Sequence, residues 1–473
     1  MHNFETQVQE LKYKVLLEIA KSCFNDSLLD DYYNIPKKIV KGPKPTMRCC
    51  IYKERAIVEE RMKLALGGNK EINNIIEVIK VACDECPLGG YEVTNRCRGC
   101  IAHRCSRACH KDAIIFDEFT HMAHINKEKC INCGLCAKAC QYNAILNYLR
   151  PCEQACKVKA VSMDEDHACL INDEKCVQCG ACVSQCPFGA VMDKSFISNV
   201  IKLIKDKKEE PLIAIVAPSI GVQFKENNLL KIVSAIKKLG FDEVVEAALG
   251  ADIVSDKESQ ELVEKGFLTS SCCPAFVSYI KKNFQNLENN ISSNLSPMAS
   301  IAKVIKENKP NSHIIFIGPC IAKKRETMEE PVRQYVDYTL TFEELEALID
   351  AKEIDINSLE ESSLDNASYF GRIFARAGGL TEAVREGLKE HNSGFEYKPL
   401  QCDGLDTCRI ALLKASTPNR DFNFLEGMAC TGGCIGGPCA LTHELRNKID
   451  MDKYSKSAKA QTIKEALDNI NTK

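Results

Sequence analysis

Of 473 residues, 28 are cysteine, and much of their spacing is regular. Cys130, Cys133, Cys136 and Cys140 stand as C-x2-C-x2-C-x3-C, and Cys176, Cys179, Cys182 and Cys186 repeat the pattern with Pro187 next. Three thiolates two residues apart wrap one face of an iron–sulfur cube in a tight loop, while the fourth reaches a partner cluster. Zinc, the alternative, favours two separated C-x2-C knuckles. Cys97, Cys100, Cys105 and Cys109 form a looser C-x2-C-x4-C-x3-C. Cys83 and Cys86 form C-x2-C, and Cys152 and Cys156 form C-x3-C, so these two halves make a fourth module with the others inserted between them. The expectation is two to four [4Fe-4S] clusters. The expected pairing is Cys97, Cys100 and Cys105 with Cys140; Cys130, Cys133 and Cys136 with Cys109; Cys176, Cys179 and Cys182 with Cys156; and Cys83, Cys86 and Cys152 with Cys186.

The modules are internal repeats. CRGCIAHRCSRACHKDAI recurs as CINCGLCAKACQYNAI and CVQCGACVSQCPFGAV, with a shorter echo in CEQACKVKAV. This part of the chain resembles bacterial-type [4Fe-4S] ferredoxins, and the looser module is similar to one found in the multi-cluster subunits of larger redox complexes. A row of clusters carries single electrons between a surface partner and a buried site. The rest of the chain should therefore hold a site that consumes or releases electrons.

Four more cysteines lack ferredoxin spacing: Cys273 in LTSSCCPAFVSYI, Cys320 in GPCIAKKRE, and Cys430 and Cys434 in MACTGGCIGG. Only the fold can bring them together. Pattern alone leaves them structural, zinc-binding or part of a further metal site, and the glycines nearby argue for close backbone approach to something bulky. These three segments resemble, in order and spacing, the signature loops of [FeFe]-hydrogenases. FARAGGLTEAVREGL (374–388) and VAPSI (216–220) are similar to two more segments of that family.

The resemblance implies an H-cluster, a [4Fe-4S] cubane joined through cysteine sulfur to a diiron unit that carries CO, cyanide and an azadithiolate. Cys273, Cys320, Cys430 and Cys434 match its cubane ligands, with Cys434 the bridging one. Cys272 matches the thiol that passes protons to the azadithiolate amine, and Lys323 the lysine that holds a cyanide. Pro218, Ser219, Pro319 and Met428 match residues lining the site. Ser292 and Glu326 match residues of the outer acid–base set. The implied reaction is the reversible reduction of protons to H2, with ferredoxin or a similar carrier as electron partner and dedicated maturation proteins supplying the diiron unit. The chain also departs from the family. Gly318 replaces a common methionine, Ala275-Phe276 a Gly-Trp, and Thr431 a proline, while Pro438-Cys439 interrupts a glycine run. Lys257 stands where a relay glutamate is expected, with Asp256, Glu258 and Glu261 nearby. Alternatives to catalysis are a hydrogen sensor and an iron–sulfur carrier or assembly protein without a diiron centre.

The elements that must position these residues are legible in outline. Residues 1–80 read as a helical region, with helices over 54–66 and 71–81 split at Gly67-Gly68. Residues 81–195 read as an α+β ferredoxin-like domain, and 196–210 as a charged linker. Residues 211–473 read as a two-lobed α/β H-cluster domain. Strands are expected at 212–217, 244–249, 267–271 and 313–318, and helices at 228–238, 254–265 and 276–284. Two cysteine motifs fall at strand ends, where α/β folds collect their sites. Net charge is −3, so no basic field calls for nucleic acid. The N-terminal stretch lacks the apolar region of a signal peptide, and no run is long enough to span a bilayer, which points to a cytoplasmic protein without membrane attachment. No nucleotide-binding glycine fingerprint argues for direct NAD use.

Overall fold

The computed structural model describes residues 4–224 and 228–471. Helix Gln7–Phe24 starts at Thr6, whose hydroxyl accepts from the Gln9 amide at 3.1 Å. Its apolar face (Val15, Leu16, Ile19) packs on helices Phe342–Ala351 and Ile197–Asp206, inside the core of the C-terminal half. Helix Ile51–Ala65 ends before Gly67 and Gly68, both left-handed. The helix expected at 71–81 does not form. Ile76–Val78 is a strand, paired antiparallel with Val191–Asp193. A short apolar run fits either period, and here the β-branched residues and an available partner edge decide. The expected linker also proves ordered: Ile197–Asp206 is a helix that buries Ile197, Val200 and Ile201. Its lysines are engaged locally, Lys205 with Asp26 and Lys207 with Asp242.

Between these lies the ferredoxin-like region, built of short antiparallel ladders: Gly90–Val93 with Ile145–Tyr148, Ile114–Phe116 with Ala123–Ile125, and Val161–Met163 with Cys169–Ile171. The sequence repeat is a structural one. Cys109, Cys140, Cys156 and Cys186 each accept a hydrogen bond from the amide of an alanine four residues on, at 3.4, 3.5, 3.1 and 3.2 Å. The residue before each alanine (Asp112, Asn143, Lys159, Gly189) has positive φ, which turns the amide back to the sulfur.

The C-terminal half holds two parallel sheets. One has the strand order Glu243–Glu246, Leu212–Val216, His313–Ile317, Tyr338–Leu340, and the other Leu268–Thr269, Phe424–Met428, Pro399–Asp403. All four expected strands are present, although 244–249 leaves the sheet after Glu246 to begin the long helix Ala247–Lys265. Helices Leu229–Leu239 and Pro274–Asn283 fall where helices were expected. No helix among the described residues is long and apolar enough to cross a membrane.

Three parts of the chain meet at one buried carboxylate. Asp193, 1% exposed, accepts Lys12 from the N-terminal helix at 2.7 Å and Lys324 from the helix after Cys320 at 2.8 Å. Lys12 also reaches Glu343 (2.5 Å), and Lys324 reaches Glu344 (2.8 Å). Removing one member leaves uncompensated charge out of water. Asp193→Ala should therefore cost about 3–5 kcal/mol in anaerobic urea unfolding, whereas Lys207→Ala at the surface should cost under about 1 kcal/mol.

Candidate functional site

Five loops at the C-terminal ends of strands converge between the two sheets. Leu212–Val216 leads into Pro218 and Ser219, Leu268–Thr269 into Cys272 and Cys273, and His313–Ile317 into Pro319 and Cys320. Phe424–Met428 delivers Met428 itself and then Cys430 and Cys434, and Pro399–Asp403 ends at Asp403, which accepts the Gly432 amide at 2.5 Å. The thiols of Cys273, Cys320, Cys430 and Cys434 lie in mutual electrostatic reach, with Cys272 beside Cys273 and Cys434. Burial pushes all five thiols up, those of Cys320 and Cys434 to about 12, and the neighbouring thiols add to the shift at Cys320 and Cys434. Thiols this costly to ionise point to a cation that would hold them as thiolates. Gly433, at φ +86 and ψ −155, folds the Cys430–Cys434 loop against the Arg376–Ala377 backbone, where any Cβ would collide.

Residues 210–438 match the family described as the iron only hydrogenase large subunit, C-terminal domain, and residues 123–146 and 170–192 match the 4Fe-4S binding domain. Residues 210–438 are thus divergent [FeFe]-hydrogenase-like sequence. Iron hydrogenase 1 of Clostridium pasteurianum is 29% identical over 72% of this chain and 69% of its own length. The periplasmic [Fe] hydrogenase large subunit of Nitratidesulfovibrio vulgaris is 28% identical over 67% of this chain and 86% of its own. Protein NAR1 of Arabidopsis thaliana, whose counterparts elsewhere are named cytosolic Fe-S cluster assembly factors, is 25% identical over 44% of this chain and 59% of its own. Among solved structures, [FeFe]-hydrogenase HydA1 from Chlamydomonas reinhardtii aligns at 17% identity with a TM-score of 0.48, covering 59% of this chain and 94% of that one.

The hydrogenase-like half suits the group its family implies. Its donor set is four thiols on three loops, Cys273, Cys320, Cys430 and Cys434. Ser219 is fully buried, and its hydroxyl has no partner within the protein. A buried orphan hydroxyl at the rim of such a cradle suits a bound group that supplies acceptors. Lys323 is buried too. Burial works against its charge, yet Glu326 and the thiols of Cys320 and Cys272 hold its ammonium net above the usual range. Glu326 pairs with Lys323 at 2.6 Å. A larger residue at Gly318 would meet the Phe316 ring at 2.8 Å and the Ala217 methyl at 3.0 Å.

A buried acid follows directly on Lys257. Lys257 points to solvent, and the next residue, Glu258, takes the inward position. Glu258 is fully buried, lies in the electrostatic field of Cys272, and accepts from the Ser271 amide and hydroxyl at 3.4 and 3.3 Å. Ser292 donates its hydroxyl to Glu261 at 3.1 Å, which leaves one Glu258 oxygen bare. Rotating that one hydroxyl would serve Glu258 instead. Glu261 is salt-bridged to half-exposed Lys265 at 2.7 Å. The order Cys272, Glu258, Ser292, Glu261 runs from the cradle to the surface. The sequence signal for Glu258 was its place on the helix Ala247–Lys265, three residues before Glu261 and so on the same face.

The ferredoxin-like thiols gather in the expected sets. Cys109, Cys130, Cys133 and Cys136 line one cavity of about 130 Å³. Cys105 has Cys140 and Cys100 as its electrostatic neighbours, and Cys97 shares their small core. Cys182 faces Cys179, Cys176 and Cys156, and Cys86 faces Cys152, Cys186 and Cys83. Cys179 also lies in reach of Cys273 and Cys430, so this set abuts the cradle. Cys100 and Cys133 are exposed, so two sets open to the surface.

Burial lifts the Glu258 carboxyl to about 7 from an ordinary 4.5. Because the folded-state value is the higher one, the wild type loses stability as pH rises from 4.5 to 7, where the unfolded chain's carboxyl ionises while the buried one stays protonated. Glu258→Gln removes that loss. Urea unfolding at pH 4.5 and pH 8 should show the variant gaining on the wild type by about 3 kcal/mol across the interval.

Proposed function

We propose that this protein catalyses the reversible reduction of protons to H2. The observation that carries the reading is the placement of Cys272, a thiol that matches no cubane ligand, at the inner end of the series Glu258, Ser292, Glu261 and beside the cradle thiols. Cys273, Cys320, Cys430 and Cys434 would hold the cubane, with Cys434 bridging to the diiron unit. That group, when bound, supplies the redox chemistry at which protons and electrons combine. Cys272 would give and take the proton at its sulfur, and Glu258 would restore it through Ser292. The Lys323 ammonium would hold an anionic ligand, the Ser219 hydroxyl would donate to another, and Pro218, Pro319 and Met428 would keep water out. A carboxyl near 7 is matched to proton exchange in neutral solution.

Electrons would enter at the exposed sets. Around Cys100 and Cys109 the exposed residues Arg96, Arg98, Arg104, Arg107 and Lys111 form a basic face, which favours an acidic carrier such as a ferredoxin. Installing the diiron unit would fall to maturation proteins.

Relatives named cluster assembly factors favour a second reading, an iron–sulfur protein that builds no diiron unit. Infrared bands of CO and cyanide after loading separate the two. Protein with rebuilt clusters and the diiron cofactor should evolve H2 from a reduced dye above the cofactor-free control. Cys272→Ala should lose at least about 100-fold, with iron content unchanged. Bands without turnover, or wild-type turnover in the Cys272 variant, would count against the proton role.

A further inference from the structure

Two arginines are buried without an acid to answer them. Arg61 is 1% exposed. Its guanidinium meets only the Phe188 carbonyl at 3.1 Å and the Met192 sulfur at 3.7 Å, and its Nε has no partner. Arg150 is 2% exposed and donates to the Pro87 and His167 carbonyls (both 2.6 Å), to the Met163 sulfur (2.7 Å) and to the Cys86 carbonyl (3.5 Å). Every other buried lysine or arginine among the described residues has a carboxylate at ion-pair distance: Lys12, Lys194, Lys323, Lys324, Arg372 and Arg376. An unpaired buried cation is strongly disfavoured unless a counter-charge arrives.

Both arginines face one set of thiols. Arg61 lies in the field of Cys186, and its guanidinium fills the space where a Cβ at Gly189 would stand, in the loop just after that cysteine. Arg150 lies in the field of Cys83, Cys86 and Cys152. Glu153, three residues on, is turned to the Arg150 backbone amide. The cation in the field of Cys176, Lys282, is by contrast exposed, so water screens it.

We infer that Cys83, Cys86, Cys152 and Cys186 hold a [4Fe-4S] cluster whose negative charge answers Arg61 and Arg150, and that these two arginines make it the highest-potential cluster of the relay. Four thiolates outweigh the positive iron–sulfur core, so the assembled cluster is an anion, and one-electron reduction by a neighbouring cluster adds a further negative charge. Two fixed cations in a dry setting favour the reduced form. This site adjoins the set that abuts the cradle, since Cys152 lies in the field of Cys182. An electron would wait there while a second arrives, which suits a two-electron product fed one electron at a time. The inference rests on the reading of the chain as an electron relay, but not on hydrogen turnover.

The test uses the full chain with rebuilt clusters, without the diiron unit, in a redox titration followed by electron paramagnetic resonance. Cys83→Ala with Cys86→Ala should lower iron by the four of one cubane and abolish the signal that appears at the highest potential. Arg61→Gln and Arg150→Gln, at unchanged iron, should each shift that signal's reduced-to-oxidised ratio at fixed potential at least tenfold toward oxidised, a fall of about 59 mV. Arg61→Lys should restore most of it. Unchanged iron in the double cysteine variant, loss of a low-potential signal instead, or midpoints untouched in the folded glutamine variants would overturn the inference. Should a glutamine variant not fold, the cysteine comparison decides by itself. None of these readings depends on H2, so an inactive but normally titrating protein would sink the catalytic reading and leave this one standing.

Discussion

Asp193 accepts two ammonium groups in a place that water scarcely reaches. One comes from the first helix of the chain and the other from the helix that follows Cys320, while Asp193 itself ends the last strand of the ferredoxin-like region. Burying three carboxylates and two ammoniums is tolerable only because each finds opposite charge at hydrogen-bonding distance. The cost of any misfit is what fixes the relay against the cradle. Lys324 is the neighbour of Lys323, and Cys439, 3.8 Å from Lys12, lies five residues beyond Cys434, so the network grips both sides of the thiol site.

With that junction fixed, the parallel sheets place the chemistry. Strands 212–216, 268–269, 313–317 and 424–428 are nearly all apolar and wholly or largely buried, so the chemistry falls at and beyond their ends. Their C-terminal ends are where the chain turns, and there stand Ser219, Cys272, Cys320 and Cys430. The same arrangement lets Gly180, in the loop that carries Cys179 and Cys182, pack on Ile321 and Pro438. The last thiol set before the cradle thus sits against the loops that build it.

Much of this was legible because cysteine chemistry is local. Ligand spacing, the repeat and the signature loops need no knowledge of long-range contacts, and the structure gathers the thiols into the sets that spacing suggested. The strands 212–216 and 313–317 were also plain, as continuous apolar runs of β-branched residues. Segments whose fate depends on a distant partner were not. Within 71–81, Ile76–Val78 becomes strand because Val191–Asp193 offers an edge, and 197–206 becomes a helix packed on Gln7–Phe24, with Ile197, Val200 and Ile201 buried. The acids behind Cys272 are a different case: a one-residue offset on a helix turns a side chain through about 100°, so Lys257 faces solvent while Glu258 beside it is buried.

The interleaving of the modules bears on how the protein is made. Cys83 and Cys86 leave the ribosome early, yet the thiols that complete their set, Cys152 and Cys186, lie far downstream, after two other modules. Cys105 likewise waits for Cys140, and Cys176 looks back to Cys156. No first module can close around a metal group by itself, because each set draws on two separate stretches of chain and their ends must first be brought together. On that pairing Cys83 and Cys86 would have to stay reduced and unclaimed until translation has passed Cys186, whereas the sets that end at Cys136 and Cys140 are complete earlier.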